Sequence, residues 1–263
     1  MQASDKQKAG LVDVCHRIYA RGFVTATDGN VSLRLENGNF LTTRTSVNKG
    51  MVTADDLVEV GPDGEPLTKL LRPSTELGMH LFIYRERPDV SAVVHAHPIY
   101  ATGFAAARQP LTDCLFPEVI VGLGAIPLAA YATPSTAEVA ESLAPHVKNA
   151  DAILLSNHGV VTYGTDIYDA YYKMEKVEHA AHITFVARML GGEKALSTED
   201  VRRLREISQQ SYGKDFSGKV ACQTGDAQDT TPVTPSDEEI REIVREMISH
   251  RNVQGASGNT GGG

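Results

Sequence analysis

His95 and His97 stand one residue apart in the apolar run Val90-Ser91-Ala92-Val93-Val94-His95-Ala96-His97-Pro98. Strand side chains alternate faces, so both imidazoles of an extended segment project from the same side and can reach one metal ion. The competing reading is a pair of solvated histidines at a strand end. A catalytic mononuclear zinc takes about three protein ligands and keeps one position open, so the metal reading requires further donors elsewhere. His158 is the candidate third ligand. It lies in Ser156-Asn157-His158-Gly159, a polar interruption between two apolar runs, where glycine allows another group to approach closely. Glu76 and His80 sit one helical turn apart, and either could point into a site; Glu76 could equally be a surface acid favoured by a helix N-terminus.

A second chemistry is suggested by small polar residues at loop starts. Asp28-Gly29-Asn30, Thr43-Arg44-Thr45-Ser46 and Pro73-Ser74-Thr75 can offer backbone N–H groups and hydroxyls to a phosphate. Such residues also fill ordinary turns and helix caps. A capping role for Ser74 or Thr75 and an anion bound at the same helix end are compatible.

These groups need elements to hold them. Residues 4–21 carry Leu11, Val14, Cys15, Ile18 and Tyr19 at helical spacing, with Gly22 as a stop. Residues 30–34 and 40–45 form a hairpin across Asn37-Gly38-Asn39, and Leu57 to Val60 reads as a further strand. A helix is expected from Pro73-Ser74-Thr75-Glu76 towards Pro88, an alanine-rich one over 100–108, and another over 136–147. Residues 126–128 read as a short strand, 151–161 as a buried strand broken by a polar tripeptide, and 166–190 as a long helix of the core or a subunit interface.

Composition sets the outer bounds. The 263 residues, 41% of them hydrophobic, suffice for one large domain or a domain with an appendage. A net charge of -8 without a basic patch argues against nucleic acid as partner. No apolar run reaches the ~18 residues of a membrane span. Cys15, Cys114 and Cys222 are odd in number and lack CxxC spacing, and no secretory leader precedes them, which points to the cytoplasm.

Taken together, Gly29-Asn30-Val31-Ser32, Pro73-Ser74-Thr75-Glu76, His95-Ala96-His97-Pro98, Tyr131-Ala132-Thr133 and Asn157-His158-Gly159 resemble the class II aldolase/adducin family, most closely its L-fuculose-1-phosphate aldolase branch, over residues 5–215. The resemblance implies an α/β fold, a three-layer α/β/α sandwich with a mainly antiparallel central sheet. It also implies C4 homotetramers with one zinc per subunit at the interfaces. Carried over by motif, His95, His97 and His158 match the zinc histidines. Glu76 matches a carboxylate that ligates zinc at rest and then serves as base. Gly29, Asn30, Thr45, Ser46, Ser74 and Thr75 match the phosphate positions, and His80 becomes a supporting or structural residue.

The implied reaction is cleavage of an L-fuculose or L-rhamnulose type of ketose 1-phosphate to dihydroxyacetone phosphate and a small aldehyde such as lactaldehyde. Zinc would act as Lewis acid on the C2 carbonyl, worth several kcal/mol of charge stabilisation. The same fold also hosts sugar-phosphate dehydratases, decarboxylases and 4-epimerases, and a non-catalytic adducin-like module is the alternative from another class. Two departures bear on this choice. Phe116 stands where the aldolases use a tyrosine from a neighbouring subunit to exchange a proton with the C4 oxygen, which leaves Tyr212 and Glu118 as candidates. Arg44 and Ser46 replace the usual proline and glycine of the phosphate loop.

Beyond residue 218 the composition changes. Residues 219–235 read as a polar, proline-containing linker. Residues 236–251 read as an amphipathic helix with Ile240, Ile243, Val244, Met247 and Ile248 on one stripe, and 252–263 as a disordered tail. A helix this short cannot bury its stripe alone. It could dock on its own tetramer; it also resembles the encapsulation peptides that carry enzymes into the lumen of bacterial microcompartments by binding shell or cargo proteins.

Overall fold

The computed structural model describes residues 3–68, 70–212 and 219–225, apart from the side chains of 211 and 212. The elements are α1 (Asp5–Ala20), β1 (Asn30–Arg34), β2 (Phe40–Thr43), β3 (Leu57–Val60), α2 (Leu77–Glu86), β4 (Ala92–Ala96), α3 (Ile99–Ala106), α4 (Pro117–Ile120), β5 (Leu128–Ala129), α5 (Glu138–Leu143), β6 (Ala152–Leu155), β7 (Gly159–Gly164), α6 (Ile167–Met189) and α7 (Thr198–Tyr212). The strands make one sheet of order β3-β2-β1-β4-β7-β6-β5, antiparallel except for the β5–β6 pair.

Neighbouring residues of the central strands feed two separate cores, one on each sheet face. Val94, Leu154 and Val160 pack with Leu11, Ile18, Tyr171 and Met174 of α1 and α6. Val93, Ile153 and Val161 pack with Ile83, Tyr84 and Leu143 of α2 and α5. The sheet is therefore the middle layer of an α/β/α sandwich, and a strand covered on both faces reads as a continuous apolar run. Each such side chain contributes about 1.5–3 kcal/mol when fully buried.

Local chemistry sets the ends of the elements. Ser4 and Gln7 form a capping box at the start of α1, and Gly22 follows its end at φ 70°. In the β1–β2 hairpin, Gly38 adopts φ 85° and the Asn39 N–H donates to Asn37 Oδ1.

Four expectations are corrected. The apolar stretch 151–161 is a hairpin of two strands, because Asn157 turns the chain at φ 56°, a left-handed conformation that Asn tolerates. The helix after Pro73 begins only at Leu77: Ser74 Oγ accepts from the Glu76 N–H at 3.3 Å and so closes a preceding turn, and Glu76 occupies the cap position without a side-chain cap bond. The helix expected over 136–147 is shortened to α5.

The fourth concerns the cysteines and the linker. Cys114 and Cys222, 108 residues apart in sequence, form a disulfide, a convergence that their spacing does not announce. Residues 219–225 are held by backbone bonds from Val220 N to Asn149 O, Ala125 N to Val220 O, Cys114 N to Gln223 O and Gly225 N to Leu196 O. The compact unit thus extends to Gly225. The rest of the expected linker, the 236–251 helix and the 252–263 tail lie outside the described residues. No helix among the described residues is long and apolar enough to cross a membrane.

Candidate metal centre

One end of the sheet gathers the chemistry. The register pairs Asn30 with His95 and Ala96 with Val160, so the start of β1, the end of β4 and the start of β7 lie side by side. His95 is fully buried. Its Nδ1 lies 2.9 Å from the Val160 carbonyl; a carbonyl only accepts, so Nδ1 carries the proton and Nε2 presents its lone pair. The His97 N–H donates to Phe23 O at 2.8 Å, and its Nε2 lies 3.1 Å from His95 Nε2. His158 arrives on the β6–β7 turn, with ring centroids 4.7 Å from His95 and 5.1 Å from His97. Gly159 makes room for this approach: a Cβ there would meet His97 Cδ2 at 2.5 Å and Ala96 O at 2.6 Å.

Glu76 completes the group. One carboxylate oxygen is 3.4 Å from His95 Nε2, and the other is 3.2 Å from His158 Nε2. Asn30 Nδ2 donates to the same carboxylate at 2.8 Å. Burial alone would raise the Glu76 carboxyl, but His95, His158 and the Asn30 amide together hold it well below the ordinary carboxylate range. Burial pushes His95 down, and Glu76 offsets this only in part against His97 and His158. His97 is likewise lowered, by burial first and then by His158. Burial thus favours the neutral form of His95 and His97, the form in which an imidazole ligates a metal. Ligand atoms of the three histidines lie within 4.8 Å of one another, and a carboxylate beside them gives the N and O donor set that suits a divalent cation such as zinc.

The loops expected to bind phosphate are tied to one another beside this group. Thr45 N bonds Arg72 O at 2.9 Å, and Ser74 N bonds Thr43 O at 3.2 Å. Gly29 adopts φ 71°, and a Cβ there would stand 2.8 Å from His95 O. Ser46 is left-handed at φ 55° and exposed. Thr75 Oγ1 accepts from Ser135 Oγ. Arg44 is turned aside to Asp56 at 2.7 Å. Asn30 does more than a turn residue would, since it fixes the carboxylate; the Gly-Asn dipeptide gives no hint of that contact.

Other candidates fall elsewhere. Glu118 is exposed on α4, a helix packed against α6 and α7, and no described contact links it to the histidines. Phe116 caps α4 and lines a small cavity with Leu111 and Val119. Tyr212 is the last residue of α7, and its side chain lies outside the described residues.

His80 is not among the ligands: fully buried on α2, it bonds Ser32 Oγ through Nδ1 at 2.7 Å, and that hydroxyl meets Tyr84 OH at 2.8 Å. Burial holds it down at about 4, against the opposing field of Glu76. A histidine neutral in the fold and titrating near 6.5 when unfolded contributes stability in full above that pH. The contribution is lost as pH falls towards 4, ~3 kcal/mol in all. In metal-free protein the urea midpoint should therefore fall between pH 7 and pH 4.5 more steeply than in His80→Gln. Identical slopes in the two proteins would remove His80 from this account.

Comparison with known proteins decides the family. The signature described as Class II Aldolase and Adducin N-terminal domain matches residues 9–185. The chain belongs to the class II aldolase and adducin family. An L-fuculose phosphate aldolase of Methanococcus maripaludis is 33% identical over 183 residues, covering 70% of this chain and 98% of the relative. A 3-oxo-tetronate 4-phosphate decarboxylase of Pectobacterium atrosepticum is 32% identical over 210 residues, covering 78% of this chain and 94% of the relative. Among solved structures of the class II aldolase fold, an L-fuculose 1-phosphate aldolase superposes with TM-score 0.72 at 29% identity, over 78% of this chain and 96% of that one. Escherichia coli YgbL superposes at 0.70 with 30% identity, over 76% and 98%.

Proposed function

We propose that this member of the class II aldolase family is a zinc-dependent enzyme that breaks a carbon–carbon bond beside the carbonyl of a small phosphorylated sugar, and in the first instance an aldolase of ketose 1-phosphates. The observation that carries the reading is Glu76, set between His95 and His158 and held by Asn30. His95, His97 and His158, with Glu76, would hold the cation. When bound, it supplies Lewis-acid stabilisation of negative charge on the substrate's C2 oxygen.

The chain's own residues do the rest. Gly29, Asn30, Thr45, Ser46, Ser74 and Thr75 bind the phosphate and fix the carbon chain relative to Glu76. In cleavage, the C4 hydroxyl loses its proton, the C3–C4 bond breaks and the C4 aldehyde forms. The electron pair left at C3 is delocalised onto the C2 oxygen. Glu76, displaced by substrate and having taken up a proton from water, then delivers it to C3, giving dihydroxyacetone phosphate, while the C4 proton returns to solvent from its acceptor. Tyr212 or Glu118 of a neighbouring subunit would receive the C4 proton, which requires an oligomer, in keeping with the homotetramer that the family resemblance implies. Ile99, Met189 and Leu190, apolar yet 73%, 72% and 83% exposed, favour such an assembly.

Phe116 favours a second reading. A phenyl ring cannot take the C4 proton, whereas loss of carbon dioxide from 3-oxo-tetronate 4-phosphate needs no proton acceptor there. That bond cleavage leaves an electron pair beside the same carbonyl and, after protonation by Glu76, the same product. The test is a panel of L-fuculose, L-rhamnulose and 5-deoxypentulose 1-phosphates with 3-oxo-tetronate 4-phosphate, read by enzymatic reduction of dihydroxyacetone phosphate and by carbon dioxide release. A ketose 1-phosphate should give the phosphate ester without carbon dioxide. Turnover of the tetronate alone would transfer the assignment to decarboxylation.

A further inference from the structure

Lys49 is 1% exposed, yet no carboxylate among the described residues lies within ion-pair distance of it. It begins a short 3-10 turn (Lys49–Met51) whose entry is set by Asn48, the side chain of which accepts from the Gly50 N–H. The turn directs the ammonium inward. There Nζ donates to Val47 O at 2.8 Å and to Thr27 O at 3.2 Å. Those two carbonyls belong to different loops. Thr27 leads into Asp28-Gly29-Asn30, and Val47 follows Thr45-Ser46, so one cation ties together two of the segments assigned to the phosphate.

Both loops need such a tie. Ala26 and Ser46 hold left-handed backbone at φ 46° and 55°, conformations that cost non-glycine residues energy and persist only where their surroundings impose them. The charge is also under-compensated. Burial pulls the ammonium below its usual range, with Cys15, Asp28 and Glu76 opposing that pull at longer range. Neutral carbonyls do not cancel a buried charge, and an anion bound in front of these loops would do so through a medium that screens poorly.

We propose that Lys49 is the positioning residue of the anion cradle, joining the Thr27 and Val47 loops from behind and lending a buried positive charge to the substrate's phosphate. The inference rests on the phosphate reading of those loops. It adds a residue that does not touch the reacting atoms.

The test uses inorganic phosphate as probe, with binding to the zinc-loaded full chain followed by calorimetry and zinc counted by elemental analysis. Lys49→Gln keeps a donor for the carbonyls and drops the charge. It should weaken phosphate binding by about 10- to 100-fold, the scale of a lost charged hydrogen-bonding partner, while its zinc-to-protein ratio equals that of the parent. A parallel loss of zinc would mark a merely structural role and overturn the proposal. Unchanged phosphate affinity in Lys49→Gln would overturn it too, leaving the phosphate cradle in place. Absence of phosphate binding by the parent protein would overturn the cradle and this inference together. Lys49→Arg covers the case in which Lys49→Gln does not fold: retained phosphate affinity supports the charge, and its loss with zinc still bound refutes it.

Discussion

If the proposed function is right, replacing His158 by alanine should abolish zinc binding and lower turnover at least about a thousandfold, the scale of losing one member of a unit that acts as a whole. The two other histidines come from β4 and the residue just after it, and cannot enclose a cation from the remaining side. His158 alone brings a nitrogen from the β6–β7 turn, and Glu76 faces it at 3.2 Å. No neighbour can substitute, because Ser156 is buried and bonded to Ala129 O, and Asn157 points its amide towards Arg108. The fold itself should survive. The imidazole makes no side-chain bond to the main chain, and its side chain is 14% exposed at the rim of the sheet. The check is zinc per subunit by elemental analysis, alongside unchanged far-ultraviolet circular dichroism. A His158→Ala protein that retains one zinc and turns over within tenfold of the parent would exclude His158 as a ligand.

How far the sequence shows this site depends on the kind of contact. His95 lies in β4 and His97 directly follows its last residue, with the two Nε2 atoms 3.1 Å apart, and the apolar residues before them make that strand legible. The convergence of His158 on the pair is less so. It follows from the β4–β7 register and from the cramped space around Gly159, neither of which is written in local spacing. The central sheet and its two helical layers are readable in alternating and continuous apolar runs. Element ends are not. Ser74 looked like a helix cap because hydroxyls before an acidic residue usually are, and here the chain spends one more turn tying Ser74 to β2 before the helix starts.

Contacts between groups far apart in sequence leave the least trace. Nothing in the composition of residues 219–225 shows that a disulfide and five backbone bonds hold them to the body. Nothing near Lys49 shows that its ammonium is buried between two loops. The family resemblance supplied the phosphate positions but not the bond from Asn30 to Glu76, since a motif records residue types and not their partners. On the proposed function, that bond would give Asn30 a second task beside the phosphate, restraining the carboxylate of Glu76.

Glu76→Gln should separate proton transfer from metal binding. Glutamine has nearly the same shape, can still accept from Asn30, and leaves the three imidazoles in place, so one zinc per subunit should be retained. What it cannot do is exchange a proton with carbon. The expected loss in kcat is about 10²–10⁴-fold, the usual contribution of a general acid or base, with KM changed far less because the phosphate loops are intact. The acid limb of the pH profile should change as well. A divalent cation held by the histidines would favour the charged form of the carboxylate beside it, so in the resting parent protein Glu76 stays ionised throughout the range in which the histidines keep metal. Loss of activity with falling pH should then track zinc release rather than protonation of Glu76 itself. In Glu76→Gln the residual activity should fall over the same interval as in the parent, since the histidines are shared. If instead the variant kept kcat within tenfold, the proton would have to come from another group, and the carboxylate between His95 and His158 would be reduced to a ligand.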